Sequence, residues 1–393
     1  MTKTEVLFAF GAKVLGSCLY GYIFLRYYGG DDTWQLHLNS LRESEMLLND
    51  PYRFFSEFGP ATAIKKGDNF VQVVGFYLND LEYCLQAKTL AIINIISRGN
   101  YYINTVFWNF VFFWGHYWLF QLLVTEFPSR RNLYLLLIFF FPPTVFWLSG
   151  IRADAMLFLS FALCVLYFNR WLLGGRLSNF LISLLGFAGV LIFRSPVAAL
   201  LIPALLGWWL ARQLRVKPVL AFISVYLLSA MVFFGSSFIT SYDLPSIVAQ
   251  RQLEFLQLKG SSFRLDTLHP TLKSFALVLP QAVVNTFTRP YPWEASGLLQ
   301  GMAAADIVFF WGLLVLALFY RDRKWKSALC QPLILCLVFW STSLYIFIGY
   351  TIPFAGAIVR YKIIAELCLL SAFVAMLRPL PGTRIKLKFN MNP

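Results

Sequence analysis

Residues 149 to 217 read SGIRADAMLFLSFALCVLYFNRWLLGGRLSNFLISLLGFAGVLIFRSPVAALLIPALLGWWLARQLRVK. Three apolar runs, 153–173, 177–193 and 196–211, follow one another here. Each comes close to the roughly 20 residues that a helix needs to cross a bilayer. The breaks between them are of two alternating kinds. Arg170 to Arg176 and Arg212 to Lys217 are basic, whereas Ser149-Gly150-Ile151-Arg152-Ala153-Asp154 and Phe193-Arg194-Ser195-Pro196 set single arginines beside an acid or a proline. Short loops rich in Lys and Arg stay on the cytoplasmic side. The stretch therefore reads as three membrane crossings, with Arg152, Asp154 and Arg194 on the opposite face.

The alternation extends along the whole chain. Basic loops recur at Arg130-Arg131, at Arg321 to Lys326 and in the tail 378–393. The other kind recurs at Gly29-Gly30-Asp31-Asp32-Thr33-Trp34, at Thr288-Arg289-Pro290-Tyr291-Pro292-Trp293-Glu294 and at Val359-Arg360-Tyr361. With the further apolar spans 6–27, 103–124, 133–148, 218–238, 298–320, 328–348 and 353–377, the expectation is about ten crossings. The fold class is all-α: a polytopic integral membrane protein forming a single membrane domain over 1–393, with both termini cytoplasmic in a plasma (inner) membrane. An even number of crossings places every basic loop, and the basic tail, on the cytoplasmic side. The first helix follows Met1-Thr2-Lys3-Thr4-Glu5 with no small-residue cleavage site, so it is expected to be retained.

Two long segments fall on the outer side, 28–102 after the first span and 239–297 after the seventh. In the first, Leu36, Leu38, Leu41, Leu47 and Leu48 are interrupted by Arg42, Glu43 and Glu45. That mixture suits a helix lying along the interface. Residues 246–258 have the same character, so interfacial helices are expected in the first and fourth external loops. Residues 272–287 are apolar, but a crossing there would invert the sidedness of everything after them, and Pro280 interrupts them. They read as re-entrant or interfacial.

Composition excludes several classes. Hydrophobic residues make up 59% of the chain, charged residues 13%, and mean hydropathy is +0.64, which is not a soluble domain. The aromatic share of 18% suits lipid-facing helices with interfacial belts. The net charge of +14 lies mainly in short loops and the tail, so topology and anionic lipid explain it and nucleic-acid binding is not expected. The six cysteines are scattered with no CxxC pair, which gives zinc or redox chemistry no support.

The outer face carries the chemistry. Gly29-Gly30 lets the backbone leave the first helix, placing Asp31 and Asp32 at the mouth of the membrane. A carboxylate there can take a proton from an attacking hydroxyl or help hold a divalent cation. The bland alternative is a hydrated helix cap and turn. His37, alone on a mixed helix, reads as an interfacial residue rather than a ligand. Arg152, Arg194, Arg289 and Arg360 come from four separate segments, each where a span meets the outer face. Guanidinium forks match phosphate oxygens. Taken singly, each arginine reads as an anchor with a local salt bridge, Arg152 with Asp154 or Arg289 with Glu294. Recurring together on the face with fewer cations, they suggest a cavity that holds an anionic group beside a general base. At this depth the anion is a lipid phosphate. If a sugar is linked through its anomeric carbon to polyprenyl phosphate, the arginines stabilise the departing phosphate and a carboxylate deprotonates the acceptor hydroxyl. No nucleotide is required, and the chain has no Walker-type loop or GxGxxG.

At these residues the chain resembles the lipid-phosphate-dependent GT-C glycosyltransferases, the group of polyprenyl-phosphate mannosyl- and aminoarabinosyl-transferases. Asp31-Asp32 follows the first helix, where that superfamily carries its acidic catalytic motif. The stretch from Arg152-Ala153-Asp154 to Leu159 resembles the segment that opens a later helix, and Arg360-Tyr361 resembles an Arg-Tyr pair at the outer start of a late helix. The resemblance implies catalytic Asp31 and Asp32, substrate-binding Arg152, Asp154, Arg194, Arg289, Glu294, Arg360 and Tyr361, and a polyprenyl-phosphate-linked sugar as donor. The acceptor would be a glycan, lipid or protein on the outer face. The chain departs from the group in its shorter length and in showing no large soluble C-terminal domain. The same landmarks, with Gly356 to Tyr361, also resemble the EpsG-like and Wzy-like polysaccharide polymerases. Those would rely on arginines more than on a carboxylate base.

A transporter of lipid-linked glycans is the main non-enzyme alternative. Transporters place ionisable residues near the midplane of repeated halves, whereas the charges here sit at helix ends and the halves do not resemble each other. Glu366 is the exception, and its spacing from Lys362 suits an intrahelical ion pair better than a proton relay. A purely structural membrane subunit would not need arginines gathered on one face.

Overall fold

Helix α1 (Lys3–Tyr28) opens on a capping box: Thr2 Oγ accepts from the Glu5 N–H, and Glu5 Oε2 accepts from the Thr2 N–H at 2.7 Å. It ends where Gly29 and Gly30 take φ of 71° and 110°, backbone regions that glycine enters without a Cβ penalty. The Gly30 N–H then reaches back to the Phe24 carbonyl at 2.9 Å. This turn delivers Asp31 as the N-cap of α2 (Asp32–Asn49). The structure, a computed structural model, describes residues 1–58, 70–214, 216–239, 243–258, 263–295 and 297–379. Of the basic tail expected over 378–393, all but the first two residues lie outside the described residues, as does Arg215 in the loop after Arg212.

The chain continues through α3 (Pro51–Ser56), α4 (Phe70–Ser97), α5 (Tyr101–Glu126), α6 (Arg131–Phe140), α7 (Pro142–Trp147), α8 (Ala153–Gly174) and α9 (Leu177–Phe193). After them come α10 (Ser195–Gln213), α11 (Pro218–Gly235), α12 (Leu244–Leu256), α13 (Leu272–Phe287), α14 (Leu298–Phe319), α15 (Trp325–Leu329), α16 (Pro332–Thr351) and α17 (Ala355–Met376). The described residues are thus all-helical, as expected, and contain no strand.

Among the described residues, six helical segments are long and apolar enough to cross a membrane: Lys3–Tyr28, Ala153–Gly174, Ser195–Gln213, Pro218–Phe238, Leu298–Phe319 and Pro332–Thr351. Among the other expected crossings, α5 and α17 are long but carry polar residues in their interiors. Helix α5 buries Asn104, Asn109 and His116, while α17 carries Arg360, Lys362 and Glu366. Residues 133–148 do not form the single helix expected of a span. The run breaks at Phe141, because Pro142 cannot donate to the preceding turn and instead starts α7 at its first position. Likewise the expected span 328–348 divides, and Pro332 starts α16 after the short α15.

The two amphipathic segments of the long loops are helical, as α2 and α12, and α13 runs on through Pro280. Nothing in the hydrophobic pattern marks α4. Asn79, Asp80, Glu82, Gln86 and Lys88 break up its apolar residues, yet it is a helix of 28 residues that packs against α2, α5 and α9. Lys88 ties α4 to α2 and α3, bonding Glu43 at 3.1 Å and the Phe54 carbonyl at 2.5 Å.

In the bundle, α8 and α9 form a close hairpin in which a Cβ on Gly186 would lie 2.5 Å from the Cys164 nitrogen, so only hydrogen fits there. Trp108, Trp208 and Trp340 are fully buried, and Trp340 stacks on Phe161 with ring centroids 4.4 Å apart. Helix α17 is buried along most of its length between α14, α16, α6 and α7. Its two ends define the two ends of the bundle. At the C-terminal end of α17, Arg130 Nε donates to the Leu377 carbonyl at 2.9 Å, and Arg130 Nη2 lies 3.4 Å from Asp322. At the start of α1, Arg131 Nη1 donates to Glu5 at 2.9 Å. The opposite ends of α1 and α17 carry Asp31 and Arg360.

Candidate functional site

At that opposite end, residues from five segments meet. Asp31 caps α2, its Oδ1 accepting from the Thr33 and Trp34 N–H groups at 3.1 and 3.4 Å and from the Thr33 hydroxyl at 2.6 Å. Its other oxygen accepts from the Tyr20 hydroxyl at 2.8 Å. Arg152, the residue before α8, reaches Asp31 with Nη1 at 3.2 Å, Asp32 with Nη2 at 3.0 Å and Asp154 with Nε at 3.7 Å. Nη1 also donates to the Tyr20 hydroxyl. Burial works against a charge at Arg152, but Tyr20, Asp154, Asp31 and Asp32 outweigh it and push the guanidinium's proton affinity above its ordinary value.

Asp154 is the hub. Arg360 Nε lies 2.9 Å from its Oδ2 and Arg194 Nη2 lies 3.2 Å from its Oδ1. Arg360 Nη1 closes the ring to Asp32 at 3.5 Å. Tyr361 lies under this layer, with the Arg194 and Arg360 guanidinium carbons 4.2 and 5.4 Å from its ring centroid. Asp31, Asp154 and Arg152 are nearly sealed from solvent, whereas the Asp32 side chain is 82% exposed. Asp32, Arg152 and Arg360 line a cavity of about 470 Å³. A larger crevice of about 760 Å³ lies at the far end of the bundle, lined by Arg321, Asp322, Arg323 and Arg378.

The loop carrying Arg152 is fixed from below. Lys13 Nζ donates to the Leu148 carbonyl at 3.2 Å and to Ser149 Oγ at 3.0 Å, and Asn109 Nδ2 donates to the Ser149 carbonyl at 3.0 Å. The guanidinium is therefore held at a set position rather than swinging on a free turn.

The structure thus joins Asp31, Asp32, Arg152, Asp154, Arg194, Arg360 and Tyr361. It does not join Arg289 and Glu294 to them. Arg289 pairs with Glu294 at 3.1 Å and lies over Phe263, 4.8 Å from its centroid, and no ion pair among the described residues links it to Asp154 or Asp32. The local salt bridge wins because the two residues share one tight turn, where Glu294 also accepts from the Tyr291 N–H at 3.0 Å. His37 is buried at the edge of the Trp34 and Tyr101 rings, with Asn104 3.3 Å from Nδ1. Burial holds its pKa below the usual imidazole value, as suits a neutral packing residue.

One group in the cavity wall escaped the sequence pattern. Glu82, on α4, faces Asp32, Arg152 and Arg360, and burial pushes its carboxyl up to about 7, with nearby Arg194 pulling it down and Asp154 adding to the rise. Helical spacing from Glu82 to Gln86 and Leu90 puts it on the stripe of α4 that faces the protein. The only sequence signal was that i, i+4 pair, which says nothing about Asp32.

Among the described residues, no group of three His, Cys, Asp or Glu side chains is arranged to hold a metal ion. Asp31, Asp32 and Asp154 do lie close together, but the guanidiniums of Arg152 and Arg360 bridge them. A divalent cation would have to displace positive charge. An anion fits: each arginine fork that binds a carboxylate oxygen can bind a phosphate oxygen in its place. Neither a scan against protein-family models nor searches of the curated proteins and of the solved structures found a match to this chain.

Proposed function

We propose that this chain is a membrane glycosyltransferase of the GT-C type, moving a sugar from a polyprenyl-phosphate donor to an acceptor glycan, lipid or protein at the outer face of the plasma membrane. The observation that carries the reading is the convergence of Arg152, Arg194 and Arg360, from three separate segments, on Asp154 beside a cavity with one exposed carboxylate. Such a layer costs desolvation and invites an anionic partner. Phosphate oxygens would replace Asp32 on Arg152 Nη2 and Arg360 Nη1, the two guanidinium contacts nearest the open cavity. As the anomeric C–O bond breaks, the same donors stabilise the charge that moves onto the phosphate. The lipid tail stays in the bilayer, and no nucleotide is involved.

Asp31 and Asp32 take different parts in this reading. Asp31 is occupied by helix capping, by Tyr20 and by Arg152, so it anchors the turn. Of the two, Asp32 is the one that lines the cavity, and the superfamily's acidic motif would map onto it. A polysaccharide polymerase of the EpsG or Wzy kind is the second reading. It is favoured by the ion pairing of all three aspartates, which leaves arginines as the dominant chemistry.

Arginine-to-lysine exchange tests the clamp. Arg360→Lys keeps the charge but cannot bridge Asp154 and the phosphate with a planar fork. We expect it to lower turnover of a polyprenyl-phosphate sugar in proteoliposomes by on the order of 100-fold, the lower end of the loss of one positioned donor. Arg289→Lys should leave turnover near wild type, since Arg289 lies outside the ring. Full activity of Arg360→Lys, Arg194→Lys and Arg152→Lys together would reduce all three arginines to anchors and remove the lipid-phosphate reading.

About ten crossings with cytoplasmic termini belong to the same proposal. The exposed Ser56 suits a probe of the outer loop. In a background with Cys18 and Cys84 changed to Ser, an impermeant maleimide added to intact cells should label Ser56→Cys. It should spare the native Cys330, which is exposed in the basic loop region. Labelling of Cys330 from outside would overturn the arrangement.

A further inference from the structure

Of the four acids around the cavity, three are tied to arginine. Asp31 meets Arg152, Asp32 meets Arg152 and Arg360, and Asp154 meets all three guanidiniums within 4 Å. Carboxylate oxygens that already accept from guanidiniums are engaged before an acceptor hydroxyl arrives. Glu82 differs. It lines the same cavity, yet no ion pair within 4 Å involves it among the described residues, and its described side-chain contact is a 3.4 Å hydrogen bond from the neutral amide of Gln86. Gln35, Asn39 and Gln86 line the cavity beside it. Uncharged amide donors and acceptors of that kind suit sugar hydroxyls rather than phosphate. The cavity is therefore divided, with Arg152 and Arg360 holding Asp32 on one side and Glu82, joined to no cation among the described residues, beside the amides of α2 and α4 on the other.

Resting on the transferase reading, we infer that Glu82 is the catalytic base: it accepts the proton of the acceptor hydroxyl as that oxygen attacks the anomeric carbon. The acceptor's O–H bond breaks toward a Glu82 oxygen, and the acceptor oxygen forms the new bond to the anomeric carbon. The old C–O bond breaks with its electron pair passing to the phosphate held by Arg152 and Arg360. Glu82 then returns its proton to water. An acceptor oxygen on the α4 side and a phosphate on the α8–α17 side lie on opposite faces of the sugar, which is the geometry of inversion. A base poised near the working pH combines availability with proton affinity, and burial supplies that poise at Glu82, pushed up to about 7. Asp32 then holds Arg152 and Arg360 in place until phosphate arrives, a positioning role.

The test compares wild type, Glu82→Gln and Asp32→Asn in proteoliposomes, reading turnover of a polyprenyl-phosphate sugar against pH together with equilibrium binding of polyprenyl phosphate alone. Only the unprotonated carboxylate accepts a proton, so wild-type turnover should rise with pH and level off above about 7. Glu82→Gln should lose on the order of 100-fold in turnover, lose that acidic limb and still bind polyprenyl phosphate as wild type does. Asp32→Asn should keep the limb while its phosphate affinity changes. A Glu82→Gln enzyme with wild-type turnover and an intact limb overturns the inference, and so does one whose phosphate binding falls in step with its turnover. In both cases the transferase reading stands, provided wild type is active. A wild-type protein that neither binds polyprenyl phosphate nor transfers sugar overturns both.

Discussion

Replacing Arg152 by Met will abolish activity and destabilise the fold by about 3–5 kcal/mol, the usual cost of removing one partner from a buried ionic group. Arg152 is 5% exposed and, among the described residues, is the one cation within 4 Å of Asp31. Without it, Asp31 and the buried Asp154 lose a shared counter-charge, and Tyr20 loses a donor. A loss of that size is a large part of the total stability of a domain, so the variant should show a lower thermal midpoint in detergent and reduced accumulation in membranes. Arg152→Lys separates charge from geometry. A lysine keeps the positive charge but presents one point, which cannot serve Asp31, Asp32 and Asp154 together. It should recover part of the stability and little of the activity. An Arg152→Met protein that melts as wild type does would show that the aspartates do not depend on this guanidinium.

The second large effect is expected deep in the bundle. Lys362 on α17 lies 3.4 Å from Asp306 on α14 and 3.3 Å from Glu366 one turn further along α17, and all three side chains are at most 1% exposed. One ammonium thus serves two buried acids. Lys362→Met would leave them facing each other with no cation, and we expect a loss of about 3–5 kcal/mol by the same reasoning. The triple variant Asp306→Asn, Lys362→Met, Glu366→Gln removes every formal charge and should melt close to wild type, since a neutral cluster carries no buried ionic penalty. A single Lys362→Met variant with an unchanged thermal midpoint would mean that the acids are paired some other way. Because no ion pair among the described residues joins Asp306, Lys362 or Glu366 to Asp32 or to the arginines around it, the triple variant should also retain sugar transfer, which distinguishes a structural cluster from a proton relay.

The contrast between these clusters shows what was legible in the chain. The pair Lys362–Glu366 follows from helical spacing alone, since residues four apart share a helix face. Asp306 does not, because its partners lie 56 and 60 positions away on another helix. The aspartate cap at Asp31 is likewise local: two glycines end one helix and the next acid starts another. Its bond to Arg152 spans 121 residues. Arg289 illustrates the opposite outcome. Its position at the end of an apolar run resembles that of Arg194, but Glu294 in the same turn captures it, and position along the chain does not reveal which partner wins.

By itself the sequence determined the class of protein, the all-helical architecture and the gathering of unlike loops at opposite ends. Those properties rest on hydrophobic length, helix period and loop charge, which are sums over neighbouring residues. It also placed Arg152, Arg194 and Arg360 at helix boundaries, where an arginine can reach a polar surface. Only the tertiary structure decided that these three share Asp154, that Arg289 stands apart, that Pro142 and Pro332 interrupt expected spans, and that α4 lies over the site with Glu82 in its wall. The physical reason is that helix periodicity fixes which face a side chain occupies but not which helix lies opposite. That choice is made by packing, through close approaches such as Gly186 on Cys164 and through charge pairs formed across as many as 328 residues.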